Sequence, residues 1–161
     1  MTYSKPLANR LREVILHGTW IANTNFRAQL ESLDWQVATT SLAPLNNIAL
    51  LAQHTHYYIQ GIKNALNLGV LGLSDAQSFT FPKIQSEADW KSFLEMFWSD
   101  TEQLANQIES MSDEVLNQSF IDEKYGNFLR NFDALIEHSY YHLGQIVLIK
   151  KMILNTSKSK T

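Results

Sequence analysis

Three histidines carry the chemistry this sequence suggests. His138 and His142 stand four residues apart in the run His138-Ser139-Tyr140-Tyr141-His142-Leu143-Gly144-Gln145-Ile146. On an α-helix that spacing sets two side chains about 40° apart around the axis and roughly 6 Å along it. Two imidazoles so placed converge on one small ion from the same face. The surrounding apolar residues, Phe132, Leu135, Ile136, Leu143, Ile146, Val147, Ile149 and Ile153, follow a helical period. The pair lies on the stripe through Leu135 and Ile146, so both rings are expected to face inward, where a polar group without a partner is costly. A third imidazole, His54, follows Leu50 and Leu51 by four and three residues and shares their buried face. His56, turned about 200° from His54, is expected at solvent or a subunit contact. His17, beside Gly18, has no spacing partner and reads as a surface or partly buried residue.

Three neutral imidazoles from two helices form a site with three protein ligands and positions open to water or substrate, the pattern of catalytic rather than structural metal sites. Histidine-only ligation suits zinc, nickel, copper, cobalt or iron and does not name the ion. A zincin protease is disfavoured: it needs His-Glu-x-x-His, and Ser139 stands where the glutamate base would be. Glu137 precedes the pair and is expected to point away from an ion. Several neighbours have two readings. Tyr58, four residues after His54, is a candidate hydrogen-bond donor toward the site or a core tyrosine with its hydroxyl at the edge. Asn25 and Gln145 either orient a ligand imidazole or cap a polar layer of the core. Gly61, about two turns beyond His54, leaves room for substrate or lets helices pack closely. Trp90, Phe93, Phe97 and Trp98 read as core or dimer surface rather than a cofactor box.

Four long helices must position these residues. The first is predicted from about Pro6, favourable at a first helical position, to Leu33, with Leu7, Leu11, Val14, Ile15, Ala22 and Phe26 as its apolar stripe. Gly18 in its middle suggests close approach of another element. Thr39 to Pro44 reads as a loop. Asn46 or Asn47 caps the second helix, which stops before Gly69. Gly69 to Pro82 is a longer connection with a short extended piece, Phe79 to Pro82. Ser86-Glu87-Ala88-Asp89 opens the third helix with a pattern close to a capping box, down to about Met111. One short turn follows at Asp113 to Asn117, then an irregular stretch from Ser119 to Tyr125. The fourth helix is predicted from about Asn127 to Asn155. Residues 1–155 thus form one domain, and residues 156–161 a disordered polar tail. No convincing sheet is present, so the fold class is all-α, a four-helix bundle. The long second connection permits a crossover and an up-up-down-down layout without forcing it.

A chain of 161 residues buries about 68–70 % of its unfolded surface on folding, so neither a disulfide nor a metal is needed for stability alone. There is no cysteine, hence no thiolate ligand and no cysteine nucleophile. A formal net charge of -3 offers no basic stripe for phosphate neutralisation, which argues against nucleic-acid binding. The N-terminal residues lack an apolar signal core and no run approaches a membrane span. The expectation is a cytoplasmic protein that contacts no membrane.

Ile48-Ala49-Leu50-Leu51-Ala52-Gln53-His54 on the second helix, with His138-x3-His142-x2-Gln145-Ile146 on the fourth, resembles the DinB/YfiT-like superfamily. Length, element order and Lys124-Tyr125-Gly126 before the last helix fit it too. The stretch Gly18-Thr19-Trp20-Ile21-Ala22-Asn23-Thr24-Asn25 is similar to a branch of uncharacterised bacterial members. The family's three histidine ligands map onto His54, His138 and His142. The resemblance implies an up-up-down-down four-helix bundle, a divalent transition metal such as zinc, nickel or iron, and often a homodimer. Characterised relatives include thiol-dependent S-transferases and a maleylpyruvate isomerase that uses a low-molecular-weight thiol; DNA binding is not implied.

The leading expectation is therefore a metal-dependent, thiol S-transferase-like enzyme acting on a small-molecule substrate. The metal would lower the pKa of a bound thiol and present a thiolate to an electrophile. Hydrolysis by an activated water is the enzymatic alternative, although no carboxylate base is evident on the ligand face. A non-catalytic protein that binds a metal or a small molecule is the other class.

Overall fold

The computed structural model describes residues 3–158. Among them the chain is all-helical: α1 (Ser4–Arg12, continued by a π-helical turn Glu13–His17), α2 (Phe26–Leu30), α3 (Trp35–Thr39), α4 (Ile48–Leu68), α5 (Glu87–Glu109), α6 (Asp113–Leu116) and α7 (Phe128–Lys158). Extended pairing among these residues is limited to two isolated bridges, Leu42 with Leu45 and Ser119 with Asn127.

Local side-chain chemistry sets the helix ends. The Asn47 side chain accepts from Leu50 N–H at 2.8 Å and starts α4. Gly69 ends it at φ +69°, a left-handed position that glycine takes without penalty. Ser86 Oγ accepts from Asp89 N–H while Asp89 Oδ2 accepts from Gln85 N–H, a close relative of the expected capping box. Asn127 Oδ1 receives Arg130 N–H at the start of α7.

The expected first helix is where sequence and structure part. It ends at Gly18, whose extended backbone breaks the run, and the chain re-enters helix only at Phe26. A Cβ on Gly18 would overlap the Glu13 side chain and backbone, so the close approach expected there comes from the preceding turn itself. Two polar side chains take up backbone groups that a continuous helix would have used. Glu13 Oε1 accepts from Ile21 N–H at 3.1 Å. Asn25 donates to the Gly18 carbonyl and accepts from Ala28 N–H, capping α2. Ala22, expected in the stripe, is exposed in the intervening loop, whereas Leu7, Leu11, Val14, Ile15 and Phe26 are buried. Phe79 to Pro82 forms no strand. At the other end α7 runs past Asn155 to Lys158, with no helix breaker in its way and Thr156 Oγ1 donating to the Met152 carbonyl. The rest of the expected tail, 159–161, lies outside the described residues.

The principal packing partners are α1 with α5, α4 with α5, α4 with α7 and α1 with α7. The core between them includes Trp90, Phe93, Phe97 and Trp98, all buried. Polar ties fix the register. Arg12, 9 % exposed, donates to Glu102, Glu109 and Asn106 and so fastens α1 to α5. Lys63, Gln60 and His56 of α4 all converge on Asp100 of α5. A buried carboxylate needs such partners, since an unpaired one carries a heavy desolvation penalty. His56 is thus 5 % exposed rather than at solvent, because its ring can donate to Asp100 across the helix interface. Asn47→Ala removes a cap without touching the core; urea denaturation is expected to show a loss of about 1 kcal/mol through a lower midpoint with unchanged slope.

Candidate metal centre

α4 and α7 pack face to face, and this brings His54 against His138 and His142. The Nε2 atom of His138 lies 3.2 Å from Nε2 of His54 and 2.9 Å from Nε2 of His142. Ligand nitrogens of the three rings all lie within 4.8 Å of one another. Nitrogens about 2.0–2.1 Å from a shared ion stand about 2.9 Å apart at a right angle and about 3.3 Å apart at a tetrahedral one. The two spacings at His138 match a common ion on those terms. His54 and His142 are each 5 % exposed; His138 is half-buried.

The outer nitrogens explain why the inner ones face each other. His54 Nδ1 lies 2.7 Å from the Ser78 carbonyl, which can only accept, so Nδ1 carries the proton and Nε2 offers its lone pair inward. His142 Nδ1 donates in the same way to Gln145 Oε1 at 2.7 Å, and the Gln145 amide is held in turn by its bond to the Tyr141 hydroxyl. An acceptor behind the ligand ring is the arrangement that fixes tautomer and orientation in histidine metal sites. Of the two residues with open readings, Gln145 takes the orienting role and Asn25 is a helix cap.

Burial keeps the rings uncharged. His138 is held down to about 4, chiefly by desolvation and then by the neighbouring His142 and His54. His54 and His142 are also lowered by desolvation, with the Ser78 carbonyl and Gln145 pulling partly the other way. Neutral imidazole is the form that binds a metal, so the site is ready for an ion at neutral pH.

Residues from the α4–α5 connection complete the surroundings, and these the sequence did not single out. Phe79 stacks flat on His54, ring centroids 4.0 Å apart. Tyr58 meets both His54 and His138 edge-on and donates its hydroxyl to Asp75 Oδ1 at 2.9 Å. The hydroxyl keeps its proton, since burial and Asp75 both raise its pKa. Tyr58 therefore does face the site, but its proton is committed to Asp75. Next to His138 opens a cavity of about 380 Å³, walled by Leu71, Leu73, Phe120 and Leu135 and carrying Tyr58 and Asp75. Leu73 sits where a side chain on Gly61 would otherwise be, so Gly61 makes room for a cavity wall. Ser139 is fully buried and donates to the Leu135 carbonyl; Glu137 is exposed and paired with Arg130; His17 is exposed. None of these three belongs to the converging set. The only signal for the Ser78 and Asp75 contacts in the sequence was a turn-rich connection of the right length to fold back over α4.

Compared with known proteins, the chain matches no family model, no curated protein and no solved structure.

The lowered His138 value gives a signed pH dependence. In the unfolded chain a histidine takes up its proton near 6.5, whereas folded His138 stays neutral until about 4. Its contribution is fully present above the higher value and is lost as pH falls from there toward the lower one. In metal-free protein the melting temperature is expected to drop across that window, and His138→Gln is expected to flatten the drop. An equally steep profile in the variant would assign the effect to other groups.

Proposed function

We propose that this protein is a metal-dependent enzyme of the thiol S-transferase type, with His54, His138 and His142 as ligands of a divalent transition metal. The observation that carries this is the convergence of three imidazole nitrogens beside a substrate-sized cavity, two of the rings locked by outer acceptors. Pockets of roughly 300–1,000 Å³ are typical of small-molecule sites, and this one borders His138. When bound, the ion supplies Lewis acidity that lowers the pKa of a coordinated low-molecular-weight thiol.

The protein's own groups do the rest. Ser78 and Gln145 hold two ligand rings in place. Phe79 shields one side of His54 from water. The apolar walls receive the body of an electrophilic substrate. The packing of α1 and α4 each against both α5 and α7 supports an up-up-down-down four-helix bundle, in which the first two helices lie on one diagonal and the last two on the other. Together with the three histidines and the Lys124-Tyr125-Gly126 lead into α7, this supports membership of the DinB/YfiT-like superfamily. A cytoplasmic homodimer follows from the same reading. Among the described residues no helix is long and apolar enough to cross a membrane.

Hydrolysis is a second reading because Asp75 supplies at the cavity a carboxylate of the kind that a water nucleophile wants nearby.

Elemental analysis of protein purified without an affinity tag is expected to find a near-stoichiometric transition metal, absent in His138→Ala. Gln145→Ala is expected to weaken metal binding by about 10–100-fold. Turnover of an electrophile that saturates with added thiol would support the transferase; turnover without thiol would support the hydrolase. Absence of metal from wild type even after reconstitution would end both.

A further inference from the structure

The cavity beside His138 has a charge pattern that neither the histidine site nor the thiol chemistry demands. Its walls are mostly aliphatic and aromatic, and Asp75 is the one carboxylate on them. No lysine or arginine lines it. No side chain on the wall offers a counter-charge to a carboxylate- or phosphate-bearing ligand at the end away from His138, whereas a cation would find a partner there.

Asp75 is set up to act as that partner. It stands in a 3-10 turn of the α4–α5 connection, and Oδ1 accepts from Tyr58. Its second oxygen, Oδ2, takes no hydrogen bond among the described residues. That bond holds the carboxylate in one orientation. The ring of Tyr58 lines the same cavity, and an aromatic ring near a carboxylate adds attraction for an ammonium group. Asp75 is near enough for its charge to be felt at His54 but lies outside the set of converging ligand atoms. That place suits a substrate anchor better than a ligand.

We propose that the cavity binds a small molecule with a protonated amine, the ammonium on Asp75 Oδ2 and the apolar body against Leu71, Leu73, Phe120 and Leu135. This rests on the reading above only in assigning the end at His138 as the reacting one. Asp75 is exposed, so solvent screens the pair, and the ammonium–carboxylate bond is worth a few-fold in affinity over a neutral donor, about fivefold at most.

Calorimetric titration of the full chain, both zinc-loaded and metal-free, with phenethylammonium and with 2-phenylethanol tests this. Wild type is expected to bind the ammonium about threefold to fivefold more tightly than the alcohol in both forms. Asp75→Asn is expected to erase that preference while leaving binding of the alcohol unchanged. Equal binding of the two probes by wild type, a preference that survives in Asp75→Asn, or binding of neither probe would overturn the proposal. Zinc content measured on the same samples reports separately on the metal reading. A protein that takes up neither zinc, nickel nor iron yet prefers the ammonium through Asp75 would refute that reading and keep this one.

Discussion

Desolvation of three imidazoles at one point of the core is the constraint around which the molecule is arranged. Each ring has two nitrogens, and a buried ring needs an answer for both. Their inner nitrogens answer each other only through a shared ion or proton, since three lone pairs in contact repel. The outer ones need acceptors, and two of these come from outside the pair of helices' facing surfaces: the Ser78 carbonyl from the α4–α5 connection, and Gln145 one turn further along α7. Satisfying the rings therefore ties a loop to the bundle interior and aligns α4 with α7.

The remaining polar ties hold the frame at a distance from the histidines. Arg12 joins α1 to α5, Asp100 joins α5 to α4, and the Trp90 indole donates to the Leu33 carbonyl. Tyr140, one turn before Gly144 on α7, donates to Glu13 in the π-helical turn. A π turn carries one residue more than the surrounding helix asks for. Here it places Glu13 where one carboxylate oxygen serves both the Tyr140 hydroxyl and the Ile21 amide. The same residue therefore links the end of α1 to the helix that carries two of the three converging histidines.

What the sequence made legible follows from the range of the forces involved. His138 with His142 and His54 on its Leu50/Leu51 face were readable because helical periodicity is local, and the three meet as expected. The caps at Asn47 and Ser86 and the stop at Gly69 were readable for the same reason. The break at Gly18 was not, because an apolar stripe continues in register from Leu7 through Phe26 and the competing bonds of Glu13 and Asn25 leave no periodic trace. His56 was misplaced because helical angle separates faces but does not say how many of them are covered; α4 is packed by α7 on one side and α5 on the other. Asp75, Ser78 and Phe79 act through contacts with α4 over 17 to 25 positions of chain, and only the folded connection brings them there.

The bond from His54 to the Ser78 carbonyl has an evolutionary consequence. The acceptor is backbone, so the bond does not depend on the chemistry of the side chain at position 78, although Ser78 is buried and leaves room there only for a small residue. Substitutions at Leu71, Leu73 or Asp75 can then redraw the cavity while His54 keeps its tautomer and direction. A lineage carrying this architecture can reshape the cavity by drift in a single connection. The geometry of the three histidines is not disturbed on the way.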